Sequence, residues 1–233
     1  MPNVAAAFLL AALAAASAHA AIPHQVTAEY RLTNNGLTIG RVHESYVSQG
    51  DTYRIESVST AEGLLKLLFD ETITLHSSGR VLAGGLQPLR FEERRSREPK
   101  RDVSASFDWE RGVLHSRYRG RSSDQPLPPR TQDRLSMMYQ FMHLTPRAGQ
   151  FELAMSNGRK VERYAYRLVG EPRIATPAGE FETLHFERVR YEPDDSRVEV
   201  WLAKDRHQVP VRVVFDDPKG FRVEQDLVAL QAR

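Results

Sequence analysis

A two-residue rhythm runs through most of this chain and limits its fold more than any motif does. Apolar and polar residues alternate over residues 26–32, 37–48 and 53–58, and again over 161–169, 181–191 and 221–230. Successive side chains of a strand point to opposite faces, so this pattern reads as half-buried antiparallel sheet. In residues 53–58, Tyr53, Ile55 and Ser57 share one face and Arg54, Glu56 and Val58 the other. The breaks carry turn chemistry. Asn34-Asn35-Gly36, Gln49-Gly50-Asp51, Ser77-Ser78-Gly79, Glu110-Arg111-Gly112, Ser156-Asn157-Gly158 and Asp216-Asp217-Pro218-Lys219-Gly220 all hold residues that accept tight or left-handed backbone. The expected architecture is all-β: a curled antiparallel β-roll or half-barrel of about a dozen strands, since a flat open sheet of that many is uncommon.

Two stretches break the rhythm. In residues 131–144, Leu135, Met138, Tyr139 and Met142 recur at helical spacing, and Met137, Phe141 and Leu144 widen the stripe. Asp133 or Thr131 supplies a cap, and Pro146 and Gly149 stop the segment. The spacing predicts one inserted helix, preceded by a loop of Arg, Ser, Gly and Pro over residues 120–130. The second stretch, Leu64, Leu65, Leu67, Leu68 and Phe69 around Lys66, suits a short helix, a buried strand or an exposed apolar lip. Methionine-rich apolar surface adapts to varied apolar shapes. A helix laid over the mouth of a curved sheet makes or closes a cavity. The candidate ligand-binding residues are therefore Leu64, Leu65, Leu67, Leu68, Phe69, Met138, Tyr139 and Met142, with filling of the core as the competing explanation.

The N-terminus carries an address. Residues 4–16 are nearly all Ala, Leu, Val and Phe, and Ala18-His19-Ala20 supplies small residues where a signal peptidase reads. The pattern predicts a secretory signal over residues 1–20, cleaved near Ala20, and one β-rich domain over 21–233 in the periplasm. The apolar run is shorter than the roughly 20 residues of a spanning helix. An outer-membrane barrel is disfavoured because Arg54, Glu56, Glu182, Arg188 and Arg190 interrupt any outward apolar band. The chain lacks cysteine, which removes disulfides, thiol catalysis and thiolate metal sites and leaves stability to the core.

Charge is almost balanced, with 32 Lys and Arg against 30 Asp and Glu. The Arg-rich residues 90–101 interleave three Glu and read as a solvated hairpin tip around Glu98-Pro99, because phosphate-backbone affinity needs uncompensated positive charge. No nucleic-acid partner is expected. Eight histidines are spread thinly without a His-Glu-x-x-His pair, so no metal site and no cofactor are predicted. His43 with Ser45, and His185 with Glu187, fall at i, i+2 on strands; an envelope hydrolase built on them is the alternative function. Adjacent carboxylates such as Asp194-Asp195 and Asp216-Asp217 read as turn chemistry rather than a paired acid and base.

A set of short motifs recurs in order: Gly63-Leu64-Leu65-Lys66, Ser78-Gly79, Gly85-Leu86-Gln87-Pro88, Gln132-Asp133-Arg134-Leu135-Ser136 with Tyr139, Thr176-Pro177-Ala178-Gly179-Glu180-Phe181, Trp201-Leu202 and Val209-Pro210-Val211. In that order they resemble a domain-of-unknown-function family, catalogue number 3108, of proteobacterial exported periplasmic proteins. The resemblance covers essentially the whole chain after the signal. It implies a rolled all-β fold with one helix and a periplasmic home, and it implies no activity. In plan the chain is also loosely similar to periplasmic lipoprotein carriers, whose curved sheets hold acyl chains under helices; those have more than one lid helix, and one is legible here. The sequence thus points to a non-catalytic protein that binds an apolar or lipid-like ligand or an envelope partner and does not span the membrane.

Overall fold

The computed structural model describes residues 22–63, 66, 70–144 and 149–233. The predicted signal lies outside them, as do Leu64, Leu65, Leu67, Leu68 and Phe69. Eight strands form an antiparallel meander: β1 (Gln25–Asn34), β2 (Leu37–Gln49), β3 (Thr52–Ala61), β4 (Thr72–Leu82), β5 (Gly85–Arg95), β6 (Val103–Asp108), β7 (Val113–Tyr118) and β8 (Arg121–Pro126). A connecting segment carries β9 (Gln132–Asp133), the helix α1 (Ser136–Gln140) and a 3-10 turn (Phe141–His143). A second run follows: β10 (Gln150–Ser156), β11 (Val161–Gly170), β12 (Arg173–Thr176), β13 (Gly179–Arg188), β14 (Arg197–Ala203), β15 (Pro210–Asp216) and β16 (Arg222–Ala232). β1 pairs with β16, which joins the two runs into one sixteen-stranded sheet; β12 pairs with β13 off the main path, and the short β9 lies parallel to β10.

The two-residue rhythm is realised as predicted. On β3 the Tyr53, Ile55 and Ser57 face is buried. Asn35 and Gly36 both take positive φ, 48° and 79°, as a tight hairpin turn requires. The sheet is more finely divided than the expected dozen strands because several strands are very short. Three local expectations are corrected. Ser77-Ser78-Gly79 does not turn; it lies within β4, and Gly79 is there because a β-carbon would overlap the Gln87 backbone at a bulge with β5. Residues 121–126 are not loop but the polar edge strand β8, whose outer side needs no hydrogen-bond partner and so tolerates Pro126. The helix is far shorter than residues 131–144: Gln132 and Asp133 are extended, helical turns begin at Ser136, and the last turn tightens to 3-10.

The sheet curls until its ends meet. Gln125 of β8 donates a side-chain hydrogen bond to the Arg159 carbonyl in the β10–β11 turn. Gly158 in that turn has φ +79°, and a β-carbon on it would overlap Val103 and sit 3.1 Å from the Phe91 ring. Gly158→Ala is expected to cost about 1–3 kcal/mol, from crowding plus an unfavourable backbone conformation, read as a lowered midpoint of urea unfolding. A wild-type midpoint would mean that the seam is not packed in this way.

Inside the curl, the connecting segment contributes to two core clusters, while a third, around Tyr30, Val42, Val211 and Leu227, is built from strands alone. Leu135, Tyr139 and Met142 pack with Val26, Tyr46 and Ile55 of the first run. Met137 and Phe141 pack with Tyr166, Leu184 and Phe186 of the second. A stripe on one side would fit a helix resting on a sheet. Apolar side chains on opposite sides fit a helix held between two walls.

Candidate functional site

The segment is fastened to the walls by buried polar groups. Asp133 Oδ1 accepts the backbone N–H groups of Leu135 and Ser136, each at 2.8 Å, and Ser136 Oγ accepts the Asp133 N–H at 2.9 Å. This reciprocal arrangement satisfies donors that a helix start leaves open, as the predicted cap requires. Asp133 Oδ2 accepts from Ser77 Oγ at 2.6 Å, and Ser77 in turn lies 3.1 Å from the Tyr53 hydroxyl. Burial raises the Asp133 carboxyl above its usual range, although these donors oppose the shift.

Glu44 is the second anchor. It occupies the buried phase of β2, between Val42 and Tyr46. Ser57 Oγ donates to its Oε1 at 3.1 Å and the Tyr139 hydroxyl to its Oε2 at 3.3 Å. Tyr139 also stacks on Tyr46, ring centroids 5.2 Å apart. Burial pushes the Glu44 carboxyl up to about 7, with the Ser57 and Tyr139 hydrogen bonds pulling the other way. In the sequence Glu44 is marked off from solvated Glu residues by one sign, its place in phase with the apolar Val42 and Tyr46.

Two glutamines form the third anchor. Gln140 Oε1 accepts the Leu86 N–H at 2.7 Å, and Gln132 Nε2 donates to the Leu86 carbonyl at 2.8 Å. Together they act as a missing neighbouring strand for one residue of β5. Gly85 is required beside them, because a β-carbon there would occupy the space of the Gln140 amide.

Beside these glutamines lies a cleft of about 1030 Å³. Its walls include Leu82, Leu86, Trp109, Leu127, Phe151 and Leu153, with Arg130, Gln132 and Gln140 among the polar groups. Gln132 is only 3 % exposed, and its Oε1 has no hydrogen-bond partner among the described residues. Donation from Nε2 towards the Leu86 carbonyl, with the Arg130 carbonyl also within 3.5 Å, fixes which end of the amide is oxygen. Trp109 is held by a hydrogen bond from its Nε1 to the Pro88 carbonyl at 2.7 Å. Of the residues named from sequence, Tyr139 and Met142 are buried in the cluster that also contains Leu86 and Leu127, with Met138 partly buried against it. They back the cleft rather than line it; from the helical segment, Gln140 and Leu144 reach its surface.

The histidines named from sequence lie apart. His43 is exposed, 3.8 Å from Glu29. His185 pairs with Glu199, Nε2 to Oε2 2.8 Å, rather than with Glu187, and stacks on Trp201 at 4.1 Å. Arg197 ties Glu199 and Glu187 together from outside. Among the described residues no group of three or more His, Cys, Asp or Glu converges as a metal site. Residues 90–101 end in an exposed tip with a 3-10 turn at Pro99–Arg101, where Arg101 pairs with Glu98 at 2.6 Å and Arg94 with Glu92 at 3.0 Å.

A curled all-β sheet around a central helical plug defines a barrel-like protein. A profile described as protein of unknown function (DUF3108) matches residues 29–227, and the chain belongs to that family. Its fold is shared with a crystal structure described as a beta-barrel-like protein of domain of unknown function DUF1849 from Brucella abortus, at 13% identity and TM-score 0.57, covering 91% of this chain and 99% of that one. Weaker likenesses join it to a candidate lipoprotein from Parabacteroides distasonis (11% identity, TM-score 0.35, 90% and 97% covered) and a candidate exported protein with a YmcC-like fold from Bacteroides fragilis (10% identity, TM-score 0.31, 90% and 96% covered). No curated protein matches the chain. No helix among the described residues is long and apolar enough to cross a membrane.

Proposed function

We propose that this is a non-catalytic protein of the cell envelope that binds an apolar or lipid-like ligand in the cleft beside the plug. The observation that carries the reading is the cleft itself: about 1030 Å³, with five leucines, Trp109 and Phe151 on its walls beside polar groups that include Glu110, Arg111, Arg130, Gln132, Gln140 and Glu152, a mixed lining that suits an amphipathic molecule. Ligand clefts of about this size combine apolar walls with polar groups that fix orientation. The free Gln132 Oε1 supplies an acceptor, and Arg130 a cation, for the polar end of an amphipathic molecule. The exported N-terminal pattern supports the compartment. The apolar residues 64–69 enter the reading on composition alone, as further surface for the same chemistry.

Trp109 is a built-in reporter. A dansyl-labelled acyl chain is expected to bind saturably and to accept excitation energy from Trp109, and native mass spectrometry is expected to find the probe bound. Leu82 lines the cleft and is 46% exposed, so Leu82→Arg leaves the core untouched. It is expected to weaken binding about tenfold or more, the equivalent of roughly 1.4 kcal/mol. The reading fails if the probe does not saturate, or if Leu82→Arg binds it as tightly as the wild type.

A further inference from the structure

At the far end of β7 from the cleft, a second pocket has the opposite chemistry. It measures about 530 Å³ and is lined by Ser116 and Tyr118 of β7, Arg121 and Ser123 of β8, Arg119 of the connecting turn, and Arg159 of the β10–β11 turn. Cross-strand pairing aligns these groups: Ser116 is opposite Ser123, and Tyr118 is opposite Arg121, so all four share one face of the hairpin. Arg159 reaches in across the seam where the sheet's ends meet, with its guanidinium carbon 4.8 Å from the Tyr118 ring centroid; that of Arg119 lies 5.3 Å away. The backbone of the Arg159 turn is held by Gln125 and by the Asn157 side chain.

Three properties separate this pocket from ordinary basic surface. No Asp or Glu lines it. Arg119, Arg121 and Arg159 make no ion pair among the described residues, whereas Arg94 and Arg101 of the neighbouring tip are paired. Ser116 is 5% exposed, and its Oγ is buried with no hydrogen-bond partner among the described residues. Arg119 and Arg159 at one ring, with Arg121 opposite it in the register, repel one another, and a buried hydroxyl without a partner is costly. A compact oxyanion relieves both, taking charge-assisted hydrogen bonds from the guanidiniums and one from the hydroxyl. The Tyr118 phenol reports the same field: desolvation pulls it up, but Arg119, Arg159 and Arg101 outweigh that and hold it below its usual value.

We infer that the pocket between the β7–β8 hairpin and the Arg159 turn binds a phosphate-type oxyanion, either free phosphate or the phosphate monoester of a lipid headgroup. The mature protein is titrated calorimetrically with sodium phosphate against sodium chloride at equal ionic strength, and in parallel with phosphatidic acid vesicles against phosphatidylcholine vesicles. Saturable binding of phosphate, without chloride matching it, supports a site for the free ion. Binding confined to phosphatidic acid vesicles supports a headgroup site. Arg159→Gln and Arg121→Gln are each expected to weaken whichever binding is seen by about tenfold, and Ser116→Ala by about threefold, with circular dichroism unchanged. In the wild type, bound phosphate is also expected to move the Tyr118 phenol upward in an ultraviolet titration, because the anion offsets the arginines. Absence of binding in both arms, equal competition by chloride, or full affinity in Arg159→Gln with the fold intact overturns the assignment.

Discussion

Glu44→Gln is expected to flatten the pH dependence of stability between about pH 4.5 and pH 7 and to leave the protein more stable than wild type at pH 8. The sign follows from burial. The Glu44 carboxyl titrates from an ordinary value of 4.5 in the unfolded chain to about 7 in the folded one. Below pH 4.5 it is neutral in both states and costs nothing extra. As pH rises towards 7 the unfolded chain loses this proton more readily, so stability falls through that interval, and above it the destabilisation from Glu44 is at its full, constant size. A shift of that size corresponds to about 3 kcal/mol. Glutamine keeps the shape and never ionises; its amide oxygen accepts from one of the Ser57 and Tyr139 hydroxyls and its Nε2 donates to the other, which can accept. Asp133, also raised by burial, remains in both proteins, so the difference between their profiles isolates Glu44. Urea unfolding across this pH range measures it, and parallel profiles would sink the claim that Glu44 is buried and uncompensated.

The position of that carboxylate matters as much as its titration. Glu44 is on the wall and Tyr139 is on the plug, 95 residues away in sequence. Ser77 and Asp133, Leu86 and the two glutamines, and Glu93 with Arg134 at 2.9 Å make three more wall-to-plug fastenings. An apolar plug in an apolar tube could slide or rotate with little change in buried area. Hydrogen bonds are directional, so these fastenings fix depth and rotation. The cleft depends on that registration, because Gln132 and Gln140 belong both to the fastening and to the lining.

The amount of this legible in the sequence varied with how local the cause was. Hairpin turns such as Asn35-Gly36 were readable because the backbone conformation is set by the residues in the turn themselves. Face assignments such as Tyr53, Ile55 and Ser57 were readable because burial follows the pleat. Gly79 misled because its reason is a close approach to Gln87, a residue on another strand. The helix misled for a related reason. Its apolar residues fit a 3.6-residue repeat, but their spread around the axis reflects two walls, and extended backbone at Gln132 and Asp133 is held by pairing with β10. Gln132 and Gln140 carried no local signal at all; their role appears only when Leu86 is found beside them. The phosphate-type pocket was hidden in the same way, since Arg159 comes from the other half of the chain.

Phe141→Ala tests the plug from its other side and is expected to cost about 3–5 kcal/mol, the range for deleting a buried phenyl ring. Phe141 is 1% exposed. Its ring meets Phe151 edge-on at 5.6 Å and Tyr166 edge-on at 6.2 Å, and lies over Phe186 at 6.3 Å. Those three rings stand on β10, β11 and β13, so removing Phe141 opens a void where three strands of the second run converge. Neighbouring rings are fixed by one another, as in the Phe151–Tyr166 stack at 5.4 Å, and cannot all move to fill it. Phe141→Leu refills most of the volume and is expected to cost about 1–2 kcal/mol. Val169→Ala, at a side chain 41% exposed, serves as the control and is expected to change little. Urea midpoints order the three. If Phe141→Ala proves no worse than the Val169 control, the ring is not clamped between strands, and a helix gripped from both sides is the wrong description of this fold. If it is the worst of the three and unfolding stays a single transition, the two runs of strands share one core through that helix.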